Sequence, residues 1–590
     1  MNTPRQEMEQ RVARAVAKLF SPAPTAPYVR PCPDARHGDF QTNAALVYGK
    51  QSGRNPREVA EELRGAVDLE CVAEPAEIAG PGFLNFRLTA EYVDRQVGER
   101  WDDRRMGVPV IKNPETVVID YSGPNIAKEM HVGHLRSTIL GDALARIYTF
   151  VGHDVVTDNH LGDWGTGFGM ILLGYKREGN PEKLEMDPFG HLEAIYQKVA
   201  AECKADESVR EAARRELVLL QQGDAGNRAL WEQFLHFSIA ALEMMYQRLG
   251  VQFDHQLGES FYNNMLADVV SELVERGIAR PSEGAIAIFS DGALDPKEDP
   301  FLIFRKEAGE TEGRYVDNPI LIQKSDGGYN YATTDLATIR YRCDTFRASR
   351  VLYVVGAPQQ MHFRQIFNAA ARWGYEGLRL EHVSFGTILG PDKKPFKSRS
   401  GETVKLRALL AEAEDRAGKI IGEKRPELND HERVALARVV GLGALKYADL
   451  AQNRNLDYVF SWDKLLAFDG NTAPYLQNAY VRIRAMFRKA GLAAAKKAAV
   501  RLTEPAELAL GRKLLDFGDA VALAAEECRP HYVCNYLFEL ATLFHKFYEL
   551  CPVLTSEESV RDSRLLLSDL TARTLHEGLH LLGIDVVEQM

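Results

Sequence analysis

The run Thr116-Val117-Val118-Ile119-Asp120 constrains the fold of this chain more than any other stretch. Three successive β-branched apolar residues between polar ones read as a strand buried on both faces, the mark of a parallel sheet. Tyr121-Ser122-Gly123-Pro124-Asn125 follows with turn chemistry. Beyond His134, Leu140, Leu144, Ile147 and Val151 recur at helical spacing. Strand, Gly/Pro turn and helix is the layout that aims free backbone N–H groups at an anion. Asp154-Val155-Val156-Thr157-Asp158 reads as the next parallel strand, and its carboxyl end runs into His160-Leu161-Gly162-Asp163-Trp164-Gly165-Thr166-Gly167-Phe168-Gly169. Ligands of such sheets sit in the loops at strand carboxyl ends.

The alternation resumes after an insertion of about residues 176–315. Ile320–Gln323 and Tyr329–Ala332 are strand-like and joined by Ser325-Asp326-Gly327-Gly328, a hairpin signal. A helix is predicted from Thr334-Asp335, a strand over Val351–Val355, a helix from about His362 and a strand over His382–Phe385. Strands alternating with helices predict a doubly wound, Rossmann-like parallel sheet. In the insertion, Trp231, Phe234, Ile239, Leu242 and Tyr246 form a stripe that reads as core and stops at Gly250, with strands around Ala285–Phe289.

At 590 residues the chain exceeds one ordinary core, so several domains are expected. Residues 1–105 read as an α/β module, with helices marked by Val12, Val16 and Leu19 and by Val59, Leu63 and Val67, and a strand-like Ile78–Leu88 around Gly80-Pro81-Gly82. Residues 106–405 form the sheet domain. Residues 406–590 read as a helical bundle, with Leu514, Phe517, Val521 and Ala524, then Leu537, Leu540, Phe544 and Phe547, stepping by three and four. The alanine-rich Ala490–Pro505 reads as a surface connection.

A net charge of −11 argues against a protein that coats nucleic acid indiscriminately but leaves room for a local basic face. Seven scattered cysteines without zinc-finger spacing point to reduced thiols, and the N-terminus has no apolar signal core. No run approaches membrane-spanning length. A cytoplasmic monomer is the expectation.

Lys128, His131, Gly133 and His134 stand after the first strand. An H-x-x-H pair could be half a metal site, yet no nearby ligand completes the set. Two imidazoles and an ammonium at a helix start suit a triphosphate instead, with Gly133 admitting a flat ligand. The glycines after Leu161 lack the dinucleotide fingerprint, so Gly162 and Asp163 read as lining for ATP.

The whole segment from Tyr121-Ser122-Gly123-Pro124-Asn125 through Lys128 to His131-Val132-Gly133-His134-Leu135-Arg136-Ser137-Thr138 resembles the HIGH signature of class I aminoacyl-tRNA synthetases. In this form it is similar to the arginyl-tRNA synthetases, and the resemblance extends from near residue 35 to Met590. It implies activation of L-arginine by ATP, with Mg²⁺ arriving on the nucleotide and no dedicated metal site, then transfer to the 3′ end of tRNA(Arg), at the 2′ hydroxyl. It implies catalytic roles for Lys128, His131 and His134. Tyr331 and Asp335 match the family's Tyr-x-x-x-Asp element, which would read the guanidinium; taken alone, Asp335 is a good helix cap. Gln359, Asp120, Ser122 and Asn125 match residues that hold the amino acid, although short polar groups also stabilise turns. The family's KMSKS loop corresponds to Lys393-Lys394-Pro395-Phe396-Lys397-Ser398-Arg399-Ser400-Gly401, basic but off-motif, with Lys397, Ser398 and Arg399 as the ATP contacts. Lys128 resembles the lysine that compensates.

Asn85, near Gly80-Pro81-Gly82, falls in a stretch similar to the family's tRNA-elbow domain. Tyr475, Gln477, Tyr480 and Arg482, with C-terminal Met590, match its anticodon-binding bundle. Aromatics beside arginines suit base stacking, and they equally suit a helix start with a charged outer face. A small-molecule nucleotidyltransferase and a non-catalytic tRNA-binding relative are the alternatives.

Overall fold

In the Thr116–Asp120 strand Val118 lies opposite Val351 on one side and Val156 on the other. The computed structural model describes residues 2–20, 28–126, 128–306, 313–396 and 404–590. Its central sheet holds four parallel strands in the order Arg379–His382, Arg350–Tyr353, Thr116–Asp120, Asp154–Asp158. The chain runs from Thr116–Asp120 outward to Asp154–Asp158 and later returns on the opposite side through Arg350–Tyr353. The order therefore reverses at the carboxyl ends of the two central strands, the usual ligand crevice of a doubly wound fold. Val118, Val351, Leu336, Ile366 and Trp373 belong to one buried apolar cluster beneath it.

The chain divides into two units. One comprises Lys112–Arg416 and Gln452–Trp462 and contains the parallel sheet. Its insertion opens with the helices Pro181–Met186, Pro188–Ala205, Glu207–Gln221 and Ala225–Leu249, the last stopped by Gly250 at φ 65°. Phe234, Leu242 and Tyr246 of the predicted stripe are buried. Two readings of this unit change. Ile320–Gln323 does not begin the second half of the parallel sheet but pairs antiparallel with Ala285–Ile288, which pairs with Ala279–Ser282. Tyr329–Ala332 is not a strand: Tyr329 makes one bridge to Gln323, and the helix Tyr331–Asp344 begins where the Asn330 side chain accepts the Ala332 N–H. The cap prevails over the β-propensity of the tyrosines. Asp335 thus lies inside the helix and caps nothing.

The other unit comprises Met1–Ile111, Ala417–Ala451 and Asp463–Met590. Its antiparallel sheet runs Val29–Pro31, Phe40–Thr42, Phe83–Phe86, Glu77–Ala79. The sheet's module meets the helical bundle through Arg5 on Asp519 (3.0 Å) and Arg512 near Asp39 (3.3 Å). The bundle includes Ala473–Lys489, His531–Leu550 and Glu558–Leu581. The predicted Leu514–Ala524 periodicity is split at Asp516 into Pro505–Leu515 and Phe517–Glu526. Among the described residues no helix is long and apolar enough to cross a membrane.

Candidate active site

The segment leaving the Thr116–Asp120 strand turns through Ser122 and Gly123, both left-handed at φ 74° and 53°. The strained serine is held by its surroundings. Its N–H donates to Ser137 Oγ (3.0 Å), and its hydroxyl meets Tyr246 Oη (2.8 Å) and Thr138 Oγ1 (2.9 Å). Ser122 is buried and faces this network, not open space. The next residues run alongside the loop from the neighbouring strand: the Ile126 N–H donates to the Gly162 carbonyl and the Gly162 N–H to Pro124. A Cβ on Gly162 would stand 2.2 Å from Asn125 Oδ1, so glycine is what lets the two loops meet.

His131 caps the helix Val132–Val151. Its Nδ1 accepts the Gly133 N–H (3.1 Å), and His134 Nδ1 accepts the His131 N–H (3.1 Å). Both rings therefore carry their proton on Nε2 as assigned by the network. The rings lie 3.9 Å apart, and a Cβ on Gly133 would press against His131 at 2.9 Å. Burial lowers the pKa of His131, and burial with its neighbour pushes His134 down to about 3. At neutral pH the pair consists of uncharged N–H donors. The ammonium of the signature, Lys128, sits 4.7 Å over the Tyr196 ring.

A cavity of about 420 Å³ brings together Asn125, Lys128, Gly162, Glu259, Tyr329 and Tyr331. Glu259 was not apparent in the sequence. Its carboxyl accepts the Trp164 N–H, and burial, reinforced by the charges of Asp163 and Asp335, pushes it up to about 7. Asp335 lies one turn beyond Tyr331 with its carboxylate 2.6 Å from His362 Nε2, and the His362 ring packs tilted against Tyr331 at 4.8 Å. His362 marked only a helix start in the sequence.

Other expected residues lie elsewhere. Asp120 accepts from Arg342 at 2.7 Å, and the same guanidinium nitrogen reaches Asp158 at 2.8 Å, with Arg342 fully buried. Asp163 turns away from the cavity onto Ser260. Gln359 is exposed at the end of a short 3₁₀ turn after Arg350–Tyr353. Lys397, Ser398 and Arg399 lie outside the described residues. The residues just after them run along the signature: the Val132 N–H donates to Val404, the Leu406 N–H to Met130, and Lys405 pairs with Glu129 at 2.9 Å.

In the other unit, Tyr475 packs tilted against His545 (5.1 Å), and Arg482 bonds that histidine at 3.2 Å and overlies Tyr548. Tyr480 donates to Glu588, which also pairs with Arg484, so this helix holds the C-terminal tail that ends at Met590. Gln477 is fully buried and donates to the Asp585 carbonyl, a tether and not a surface group. Asn85 is buried and accepts from Gln41 (3.0 Å).

Comparison with known proteins finds relatives along the whole chain. Residues 102–462 match the model of the class I tRNA synthetase (R) catalytic domain, 476–590 the DALR anticodon binding domain and 6–88 the arginyl tRNA synthetase N terminal domain. An arginine–tRNA ligase of Cellvibrio japonicus is 44% identical over 99% of both chains, and one of Thermobifida fusca is 44% identical over 100% of both. The crystal structure of arginyl-tRNA synthetase from Plasmodium falciparum superposes with a TM-score of 0.84 at 28% identity, covering 100% of each chain. With catalytic, anticodon-binding and N-terminal models all matched in order, the chain belongs to the arginyl-tRNA synthetases of class I.

Proposed function

We propose that this chain activates L-arginine with Mg-ATP to arginyl-adenylate and transfers the arginyl group to the 3′ end of tRNA(Arg). The observation that carries the reading is a single cavity edged by the Lys128 ammonium and the Glu259 carboxyl, groups of opposite charge suited to a polyanion and a cation.

In the first step the arginine carboxylate attacks the α-phosphate in line and pyrophosphate leaves. The chemistry asks the protein chiefly for positioning and charge stabilisation. Lys128 opposes the phosphate charge, while His131 and His134 offer Nε2–H donors that need no proton from solvent and do not change charge as the reaction proceeds. Asn125 and Gly162 fix the loops on which these groups stand. Mg²⁺ travels as counter-ion of the triphosphate. The guanidinium is received by Glu259 and Tyr331, with Asp335 behind them, a planar fork against carboxylates. In the second step a terminal ribose hydroxyl, the 2′ one by family resemblance, attacks the adenylate carbonyl and AMP leaves. Tyr475 and Arg482 provide stacking and charge for RNA on the bundle. Seven free cysteines suit a reducing cytoplasm.

Pyrophosphate exchange tests the reading. Exchange that requires arginine, and that tRNA stimulates, is the expected result. Exchange indifferent to the amino acid would indicate a nucleotidyltransferase of another kind, and none under any condition a tRNA-binding protein without chemistry.

A further inference from the structure

The loop after Asp154–Asp158 and the segment 255–260 are laced together although they lie far apart in sequence. The Asn159 N–H donates to His255, the His255 N–H to Thr157 and the Glu259 N–H to Leu161. At the centre stands Asp163, almost fully buried. One carboxylate oxygen accepts the Ser260 N–H (2.9 Å) and the other the Ser260 hydroxyl (2.5 Å). Its own carbonyl accepts the Trp231 indole N–H at 2.9 Å, from the insertion helix Ala225–Leu249. The turn closes on this carboxylate so tightly that a Cβ on Gly258 would come within 2.4 Å of it. Between Gly258 and Ser260 is Glu259, whose carboxyl also takes the Trp164 N–H.

We infer that Asp163 is a positioning residue for amino-acid selection: by gripping both donors of Ser260 it fixes the Gly258–Ser260 turn in the conformation that presents Glu259 to the cavity. The inference rests on the reading of that cavity as the arginine site. A two-point grip of buried, charge-assisted bonds is stronger than neutral hydrogen bonds and directional, so the adjacent side chain inherits its orientation. It reassigns Asp163 from the nucleotide to the amino acid. The insertion helix enters through Trp231, which holds the same residue from its other side.

The experiment is pyrophosphate exchange on the full-length enzyme, with KM for arginine and for ATP measured separately in Asp163→Ala, Asp163→Asn and Ser260→Ala. Misorienting a charge-assisted contact should raise KM for arginine roughly tenfold or more and leave KM for ATP within about twofold. Asparagine, which keeps one acceptor for the Ser260 N–H, should recover part of the loss. Ser260→Ala removes one bond and serves if Asp163→Ala does not fold. A rise in KM for ATP with arginine unaffected would overturn the inference and return Asp163 to the nucleotide. Parallel losses in both constants with a lowered Tm, or no change in Ser260→Ala and Asp163→Asn alike, would also overturn it. Glu259→Gln is run alongside: if it leaves KM for arginine unchanged, the reading of the cavity has failed and not the grip on the turn.

Discussion

Replacing Glu259 with glutamine should make the ligand-free protein more stable and the enzyme poorer at using arginine. Burial, with the like charges of Asp163 and Asp335, pushes this carboxyl from its ordinary 4.5 up to about 7. The folded state therefore holds a proton that the unfolded state releases near pH 4.5. The resulting penalty is absent below that pH, grows as pH rises through 7 and is complete above it. At full ionisation the gap amounts to about 3 kcal/mol, and partial solvation of the cavity reduces it to about 1–3 kcal/mol. Glutamine keeps the shape and an acceptor for the Trp164 N–H while removing the charge. Thermal unfolding without ligands should show Glu259→Gln gaining about 1.5–4.5 °C at pH 8.5 and distinctly less at pH 5. Because a guanidinium requires the ionised carboxylate, KM for arginine in the parent enzyme should also climb as pH falls below about 7. Equal stabilities at pH 8.5, or a larger gain at pH 5, would refute the argument that this is a desolvated carboxylate waiting for a cation.

Asp335→Asn, which weakens the bond to His362 behind Tyr331, should raise KM for arginine roughly tenfold or more, the effect of about 1.5–3 kcal/mol when a charge-assisted hydrogen bond is lost. Filter binding should find tRNA affinity unchanged, and a parallel loss there would undo the specificity assignment. His134→Ala should slow single-turnover adenylate formation about 10²–10³-fold. With His134 neutral down to about pH 3, the parent's rate profile between pH 6 and 9 should carry no limb from it, and a limb that vanishes in this variant would contradict the neutral assignment. Arg342→Met leaves Asp120 and Asp158 buried without a counter-charge and should cost about 3–5 kcal/mol in urea unfolding. Adding Asp120→Asn should restore part of that, and additive losses instead would mean the three are not one ion cluster.

The strands of the parallel sheet were legible because they are short, apolar and β-branched, as in Val117-Val118-Ile119. Strand partners were not, because pairing is non-local: nothing near Ile320–Gln323 announces Ala285–Ile288 as its neighbour. The Tyr329–Ala332 reading failed where two local signals competed, tyrosines favouring a strand and Asn330 a helix start, and only the fold decides between them. Lys128, His131 and His134 could be found because phosphate chemistry concentrates its groups in one turn. Glu259 could not. An isolated acid between glycine and serine carries no signature, and it reaches the cavity only after residues 255–260 lie down beside 157–161.

Charge sorting at the crevice follows from which carboxylates have partners. Asp120 ends a central strand and Asp158 the edge strand beside it, and left bare they would set two negative charges below a site proposed for a triphosphate. Arg342 reaches both with one nitrogen and is itself hidden from solvent, so it offsets one of the two negative charges below the crevice. Asp163 is held by Ser260 and Asp335 by His362. Glu259, whose carboxyl the Trp164 N–H holds, is then the acid in the cavity lining whose charge awaits a cation, and Lys128 is the signature's ammonium beside it. A polyanion and a cationic amino acid are told apart less by which charged residues the chain possesses than by which of them the fold has already given a partner.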